Sequence, residues 1–484
     1  MLSASRSLTS RYLQWVLALS LLRVLVVSIS PYGLYLEEPY YWQWAQQPGW
    51  GYYSKPPLVA WLIAATSCWH DSPLAVKASA ILLYPLAGWF VLQTTRLLSD
   101  DQVALRTALL FQLLPGVSFS AIIISTDVPL IVCWSASLWL AISALTRPQR
   151  WHWPALGIAI GLGLLAKYNM ALLPPGLLLW GWFCRRQQLQ QQWRGILVAT
   201  AIALIVVTPT LVWNLQHQLT SLHHTVAISG VNSAEWRWAA LGEFLLAQLG
   251  VLGPVVGFIG GWLFLARPAS VRPLLLIVAP ALLIAVWVAG FGKANANWAA
   301  PAAATLAIGC GLWAAHSRPR WYWLLLPNLL IGTLFYGLHS SGQLDPLSER
   351  LQFRHPYQRI LGWQAVTDRI LQEQAQLPAP CLISPSREVL AWAGYWGRER
   401  LPPESLISLP PADGQAAHHF DLVNPLAMGA PRVPCLLVVG AHQSHLVREF
   451  ADYQALGSAV RQWRARRYEH FLLFEVSHWQ GGGR

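Results

Sequence analysis

Two adjacent carboxylates, Glu37 and Glu38, open a run of rings, Pro39-Tyr40-Tyr41-Trp42, and Lys55 follows shortly after Trp50-Gly51-Tyr52-Tyr53-Ser54. Adjacent carboxylates repel, and a partly dehydrated carboxylate accepts a proton more readily than one in water. Such a group can deprotonate an attacking hydroxyl or amine, and an ammonium can steady a departing phosphate. The set describes a transfer reaction from a lipid-phosphate donor at the mouth of a membrane, with Glu37 the first choice of base and Glu38 the second. Pro56-Pro57 hold the backbone of Lys55 extended, and a phosphate would gain a charge-assisted hydrogen bond from its ammonium. The plainer readings are a solvated loop end for the acids and a lysine reaching toward lipid headgroups.

Other groups of the same chemistry recur along the chain. Asp127 lies in Ser125-Thr126-Asp127-Val128-Pro129, where it is either a helix N-cap or part of the catalytic set. Lys167-Tyr168 interrupts two short apolar segments, and a charge at such a break is tolerated where it lines a polar cavity. Lys293, Asn295, Asn297 and Trp298 fill a later loop, where amides and an ammonium beside an indole can hold a sugar or a phosphate. The alternative there is an ordinary interfacial anchor. Tyr40, Tyr41, Tyr53 and Tyr168 are candidate substrate contacts beside these charges. Trp213-Asn214 with His217, His223 and His224 is a weaker grouping.

The elements that carry these residues are set by composition. The chain is 55% apolar and only 11% charged, against roughly a quarter charged in soluble domains, so it belongs in a membrane. Arg6 and Arg11 precede an apolar run from Tyr12 to Ser30 with no small-residue cleavage site after it, which reads as a signal anchor. Apolar segments predict eleven spans, near 12–30, 76–96, 103–122, 128–146, 154–167, 169–184, 195–213, 240–265, 273–291, 296–315 and 321–339. The shorter stretch 57–69 predicts a helix at the membrane surface. Each connection assigned to the cytoplasm carries arginine: Arg96/Arg106, Arg147/Arg150, Arg185/Arg186/Arg194, Arg267/Arg272 and Arg318/Arg320. Only four of the 33 Lys and Arg residues are lysines, and Lys55, Lys77, Lys167 and Lys293 all fall on or near the opposite, outer face.

Near residue 340 the character changes: eight acidic residues precede it and thirteen follow. This places a membrane domain at 1–340 and a small extracytoplasmic α/β domain at 341–484. In the latter, 345–374 and 444–456 read as helices, and Cys381–Ser384, Cys435–Val439 and Phe471–Phe474 as strands. Gly482 and its neighbours close the chain loosely. Cys381 and Cys435 are a disulfide candidate if that domain is extracytoplasmic, whereas Cys68, Cys133, Cys184 and Cys310 fall in or beside apolar segments. No Cys/His cluster has metal-ligand spacing. The net charge of +12 reflects cytoplasmic anchors rather than a nucleic-acid partner.

Taken together, Glu37-Glu38-Pro39-Tyr40-Tyr41-Trp42, Trp50-Gly51-Tyr52, Pro56-Pro57-Leu58, Ser125 to Leu130, Lys167-Tyr168, Trp213-Asn214 and Asn297-Trp298-Ala299-Ala300-Pro301 stand in an order that resembles the bacterial protein O-mannosyltransferase-like family of GT-C glycosyltransferases. Two positions depart from the close subgroup. Glu37 stands where aspartate is usual. Lys55 replaces a histidine, and is similar to the lysine of the aminoarabinose lipid A transferases. The resemblance implies a polytopic all-α GT-C fold and inverting transfer of a sugar from a polyprenyl-phosphate donor. It implies an envelope acceptor (lipid A, glycan or protein) on the periplasmic face of a bacterial inner membrane. Membrane lipids are the other expected partners. No cofactor is required; a divalent metal is compatible with the scheme but not implied. The rival readings are a lipid or sugar transporter or flippase, which would show paired broken helices, and an envelope assembly protein.

Overall fold

A computed structural model describes residues 2–231, 235–353, 355–411, 413–427, 430–464 and 467–481. The chain divides into two compact units. The first comprises Met1–Ile29 and Lys55–Ser340; the second joins Ser30–Ser54 to Ser341–Arg484. The first unit is thus not the continuous range 1–340: Ser30–Ser54, which carries Glu37 and Glu38, groups with the C-terminal residues.

The first unit is helical. Each of the eleven expected spans contains a helix, but among the described residues only six helices are long and apolar enough to cross a membrane, or seven if one bent pair counts as a single span. Helix Asp127–Thr146 is the centre of the bundle, with 94% of its apolar window buried, against 28% for the first helix and 22% for Trp193–Gln216. The two outer helices leave Leu13, Leu17, Leu21, Leu25, Leu204 and Ile205 exposed. Apolar faces of that extent need lipid rather than water against them. The expected surface segment is a helix, Leu58–Ser67.

Local chemistry sets the breaks. Ser72 caps helix Pro73–Leu98 by accepting from the Ala75 amide at 3.1 Å, with Pro73 in the first turn. Asp100 caps Asp101–Leu113 through the Gln102 and Val103 amides. That helix ends where Pro115 forces Leu114 out of the helical region, and Pro115–Ser120 restarts it. The expected span 240–265 is likewise two helices, Trp238–Leu252 and Pro254–Ala266, bent by 119°. Its hinge is Gly253 at φ 81°, a conformation that suits glycine, followed by a proline. Gly176 lets helix Leu173–Cys184 approach the Ile277 backbone of helix Arg272–Phe291, where a Cβ would collide.

One charge lies within the first apolar segment. Arg23 is fully buried in helix Leu2–Ile29, and donates to the Tyr336 hydroxyl at 3.1 Å and to the side chain and carbonyl of Gln112 at 3.1 and 3.2 Å. It ties the first helix to two others through neutral acceptors.

The second unit is built on a five-stranded sheet of β1 (Leu382–Ser384), β2 (Leu406–Ser408), β3 (Cys435–Gly440), β4 (Phe450–Arg464) and β5 (Arg467–Trp479). Their order is β2-β1-β3-β5-β4. The first three strands are parallel, and β5 runs antiparallel to both β3 and β4. The β3 strand is buried along its whole length, as its continuous apolar run requires. Ile383, Leu437, Val439, Phe450 and Val476 form the core beside it. Cys381 and Cys435 are joined by a disulfide.

Two tail helices differ from expectation. The segment 345–374 is two helices, Leu344–Leu351 and Trp363–Gln374, separated by a stretch containing Pro356. The expected helix 444–456 is a 3-10 stretch, Ala441–Glu449, that gives way at Phe450 to β4. Pairing with β5 along most of its length supplies backbone hydrogen bonds that outweigh local helix preference. The strand β2 is three residues long and had no sequence signal. Gly482 lies outside the described residues.

Candidate active site

In the second unit, Ser30–Ser54 is held to the C-terminal residues by rings and one acid. The Tyr32 ring packs at a tilt on Tyr357, centroids 4.4 Å apart, and its hydroxyl donates to Asp345 at 2.9 Å. Helix Glu38–Gln46 packs against helix Arg387–Trp396, with Trp42 edge-on to Tyr395 at 5.2 Å. The two acids at the start of the first of these helices have different surroundings. Glu38 is fully buried, and its carboxylate accepts from the Tyr35 amide at 2.5 Å, closing the turn before the helix. The Glu37 side chain is 34% exposed and accepts from Arg387 Nη2 at 3.2 Å through Oε1.

Arg387 also donates to Glu388 at 3.2 Å and lies over the Tyr40 ring at 5.4 Å. Burial pulls its proton affinity down, but Glu37 and Glu388 outweigh burial and hold it up. Tyr40 and Tyr41 are both buried. The Tyr40 hydroxyl accepts from the His419 amide at 2.6 Å, and burial pushes its phenol well above the ordinary range. Tyr41 packs on Trp44 at 5.0 Å, and Trp44 stacks on Tyr52 at 4.6 Å. Tyr53 is half-buried, and burial, then Asp421, raise its phenol.

In the first unit, three helix ends converge. Asp127 Oδ1 accepts from Lys167 Nζ at 2.7 Å, and Asp127 Oδ2 accepts from Asn297 Nδ2 at 2.7 Å. Asp127 is therefore not an N-cap: it stands in the first turn after Thr126, and both its oxygens bind side chains from elsewhere. Lys167 adopts an extended backbone at the end of helix His152–Ala166, which turns its side chain out of the helical row. Tyr168 follows, its hydroxyl 2.5 Å from Ser221 Oγ and accepting from Asn214 at 3.3 Å. Asn169 donates to the Trp298 carbonyl at 3.4 Å, bringing the Asn297-Trp298 turn to the same place. Lys293 is exposed, with its amide bonded to the Ser229 carbonyl at 2.7 Å. Lys55 is half-buried. His217 stacks on Trp213 at 4.1 Å, and no grouping of three or more His, Cys, Asp or Glu suited to a metal occurs among the described residues.

Sequence reasoning missed Arg387, Ser221 and Arg23. Arg387 belongs to a tail with no motif and Ser221 to an unremarkable helix. Arg23 did carry a signal, as a single charge inside an apolar run.

Residues 54–213 match the family described as dolichyl-phosphate-mannose-protein mannosyltransferase. That stretch is about a third of the chain. The chain is 30% identical over 302 residues to the lipid A galacturonosyltransferase RgtD of Rhizobium johnstonii, covering 59% of this chain and 62% of that protein. It is 26% identical over 171 residues to an undecaprenyl phosphate-alpha-4-amino-4-deoxy-L-arabinose arabinosyl transferase of Pseudomonas savastanoi, covering 33% of this chain and 31% of that one. The match thus spans about three fifths of the first relative's length and about a third of the second's. The crystal structure of ArnT from Cupriavidus metallidurans bound to undecaprenyl phosphate has the same fold, with a TM-score of 0.67 over 96% of this chain and 98% of that one at 13% identity.

Proposed function

We propose that this chain is an inverting glycosyltransferase that moves a sugar from a polyprenyl-phosphate donor to lipid A or another envelope acceptor. The relation to the lipid A galacturonosyltransferase, 30% over 302 residues, carries this reading. Glu37 is the base, because it is partly exposed while Glu38 is buried on the Tyr35 amide. Glu37 takes the proton of the acceptor hydroxyl or amine as that atom bonds to the anomeric carbon. The bond from that carbon to the phosphate oxygen breaks on the opposite face, and polyprenyl phosphate leaves with the electron pair.

Lys55 and the exposed Lys293 neutralise the leaving phosphate. Asp127 positions Lys167 and Asn297, whose further N–H donors serve the phosphate and the sugar. Tyr53, Tyr168 and Trp298 provide ring contacts. The first unit is an eleven-span inner-membrane domain with its lysines toward the periplasm. Arginine in alternate loops supports that orientation, as does a disulfide, which persists in an oxidising compartment.

The test uses the purified full-length chain in liposomes with lipid A and isotope-labelled polyprenyl-phosphate sugars, galacturonic acid and aminoarabinose in separate arms. Release of free polyprenyl phosphate with label transferred to lipid A is expected. Donor movement across the bilayer with no release would replace this reading with a flippase.

A further inference from the structure

Arg387 opens helix Arg387–Trp396, whose first turn is fixed by Ser386 accepting from the Val389 amide at 3.3 Å. From that start its guanidinium meets three groups. Nη2 donates to Glu37 Oε1 and Nε to Glu388 Oε1, each at 3.2 Å, and Cζ lies 5.4 Å from the Tyr40 ring centre. Tyr40 is itself fixed by the His419 amide on its hydroxyl. Two ion pairs and one ring contact orient a planar fork more narrowly than any could alone. The consequence falls on Glu37. Its Oε1 is held, while Oε2 has no hydrogen-bond partner among the described residues. A general base needs one lone pair aimed at the incoming proton, and an unrestrained Glu side chain presents either oxygen in several rotamers.

We propose that Arg387 is a positioning residue for transfer: it clamps one oxygen of Glu37 so that the other is presented to the acceptor. The C-terminal residues, which carry no recognisable motif, thereby take part in the chemistry. This inference rests on Glu37 being the base.

The experiment measures kcat and donor KM in liposomes for the full chain, with Arg387→Gln and Arg387→Lys, each alone and combined with Glu37→Gln, and records melting temperature throughout. Arg387→Gln is expected to lower kcat by about 10- to 100-fold, with donor KM and melting temperature little changed. Arg387→Lys is expected to recover part of the rate, since it keeps the charge but loses the fork. In the Glu37→Gln background, Arg387→Gln is expected to cost less than about twofold, because a residue acting through Glu37 has nothing left to position.

Wild-type rates in Arg387→Gln overturn the proposal. So does an equal loss in both backgrounds, or a loss shared by Arg387→Lys that follows the melting temperature. Absence of transfer by the wild-type chain would instead sink the functional reading itself, so the two failures are distinguishable.

Discussion

Asp127 and Lys167 lie 40 positions apart in sequence, yet the lysine ammonium sits 2.7 Å from the aspartate oxygen with both side chains at or below 10% exposure. Asn297 takes the second oxygen at the same distance. One carboxylate thus joins the start of one helix, the end of another and the turn before a third. Its charge is balanced inside the bundle by an ammonium and an amide, as a buried carboxylate requires.

Breaking that pair strands a charge. Asp127→Asn or Lys167→Met alone is expected to destabilise the first unit by about 3–5 kcal/mol. The double substitution is expected to recover most of that loss, because neither charge then remains buried without a partner. It is not expected to recover transfer. Thermal unfolding in detergent, run beside donor-release rates, separates the two effects.

The disulfide between Cys381 and Cys435 closes a loop of 54 residues. For a loop of that length the chain-entropy estimate is about 4 kcal/mol. Cys381→Ser with Cys435→Ser is expected to lower the melting temperature of the second unit and to expose β1 and β3 to proteolysis. Alkylation of the wild-type chain under denaturing conditions, with and without reductant, should differ by two labelled thiols.

His418 is buried in the second unit, and burial holds its imidazole below the ordinary value. Asp421 opposes this, but its carboxylate oxygen is 3.5 Å from Nδ1, too far for a strong hydrogen bond. The folded state therefore binds the proton less readily than the unfolded chain, whose histidine titrates near about 6.5. Stability is fully present above that value and falls as the pH drops through it. His355, also lowered first by burial, acts in the same direction. His418→Gln is expected to flatten part of the loss in melting temperature between about pH 7.5 and pH 5.

Asp127 and Lys167 stood out in the sequence as candidates because charge is scarce in this chain, and the structure sets them against each other and against Asn297. An acid or lysine in an apolar segment needs a partner, and the partners proved to be one another. The membrane class followed from composition for the same reason. What was not legible depended on residues distant in sequence. The bend at Gly253 looked like one long apolar span, since hydropathy does not register a glycine at positive φ before a proline. The start of β4 looked helical because its pairing with β5, read as a strand only over Phe471–Phe474, is invisible to local preference. Arg387 was one arginine among many until the fold set it against Glu37. Glu37 and Glu38, adjacent and chemically alike, were distinguished only by burial.

The most direct measurement compares Glu37→Gln with wild type for release of free polyprenyl phosphate from a labelled donor, at matched melting temperature and matched donor binding. Loss of a general base predicts a fall of at least about 100-fold in Glu37→Gln. Release from Glu37→Gln at the wild-type rate would contradict the assignment of Glu37 as the base and with it the proposed chemistry.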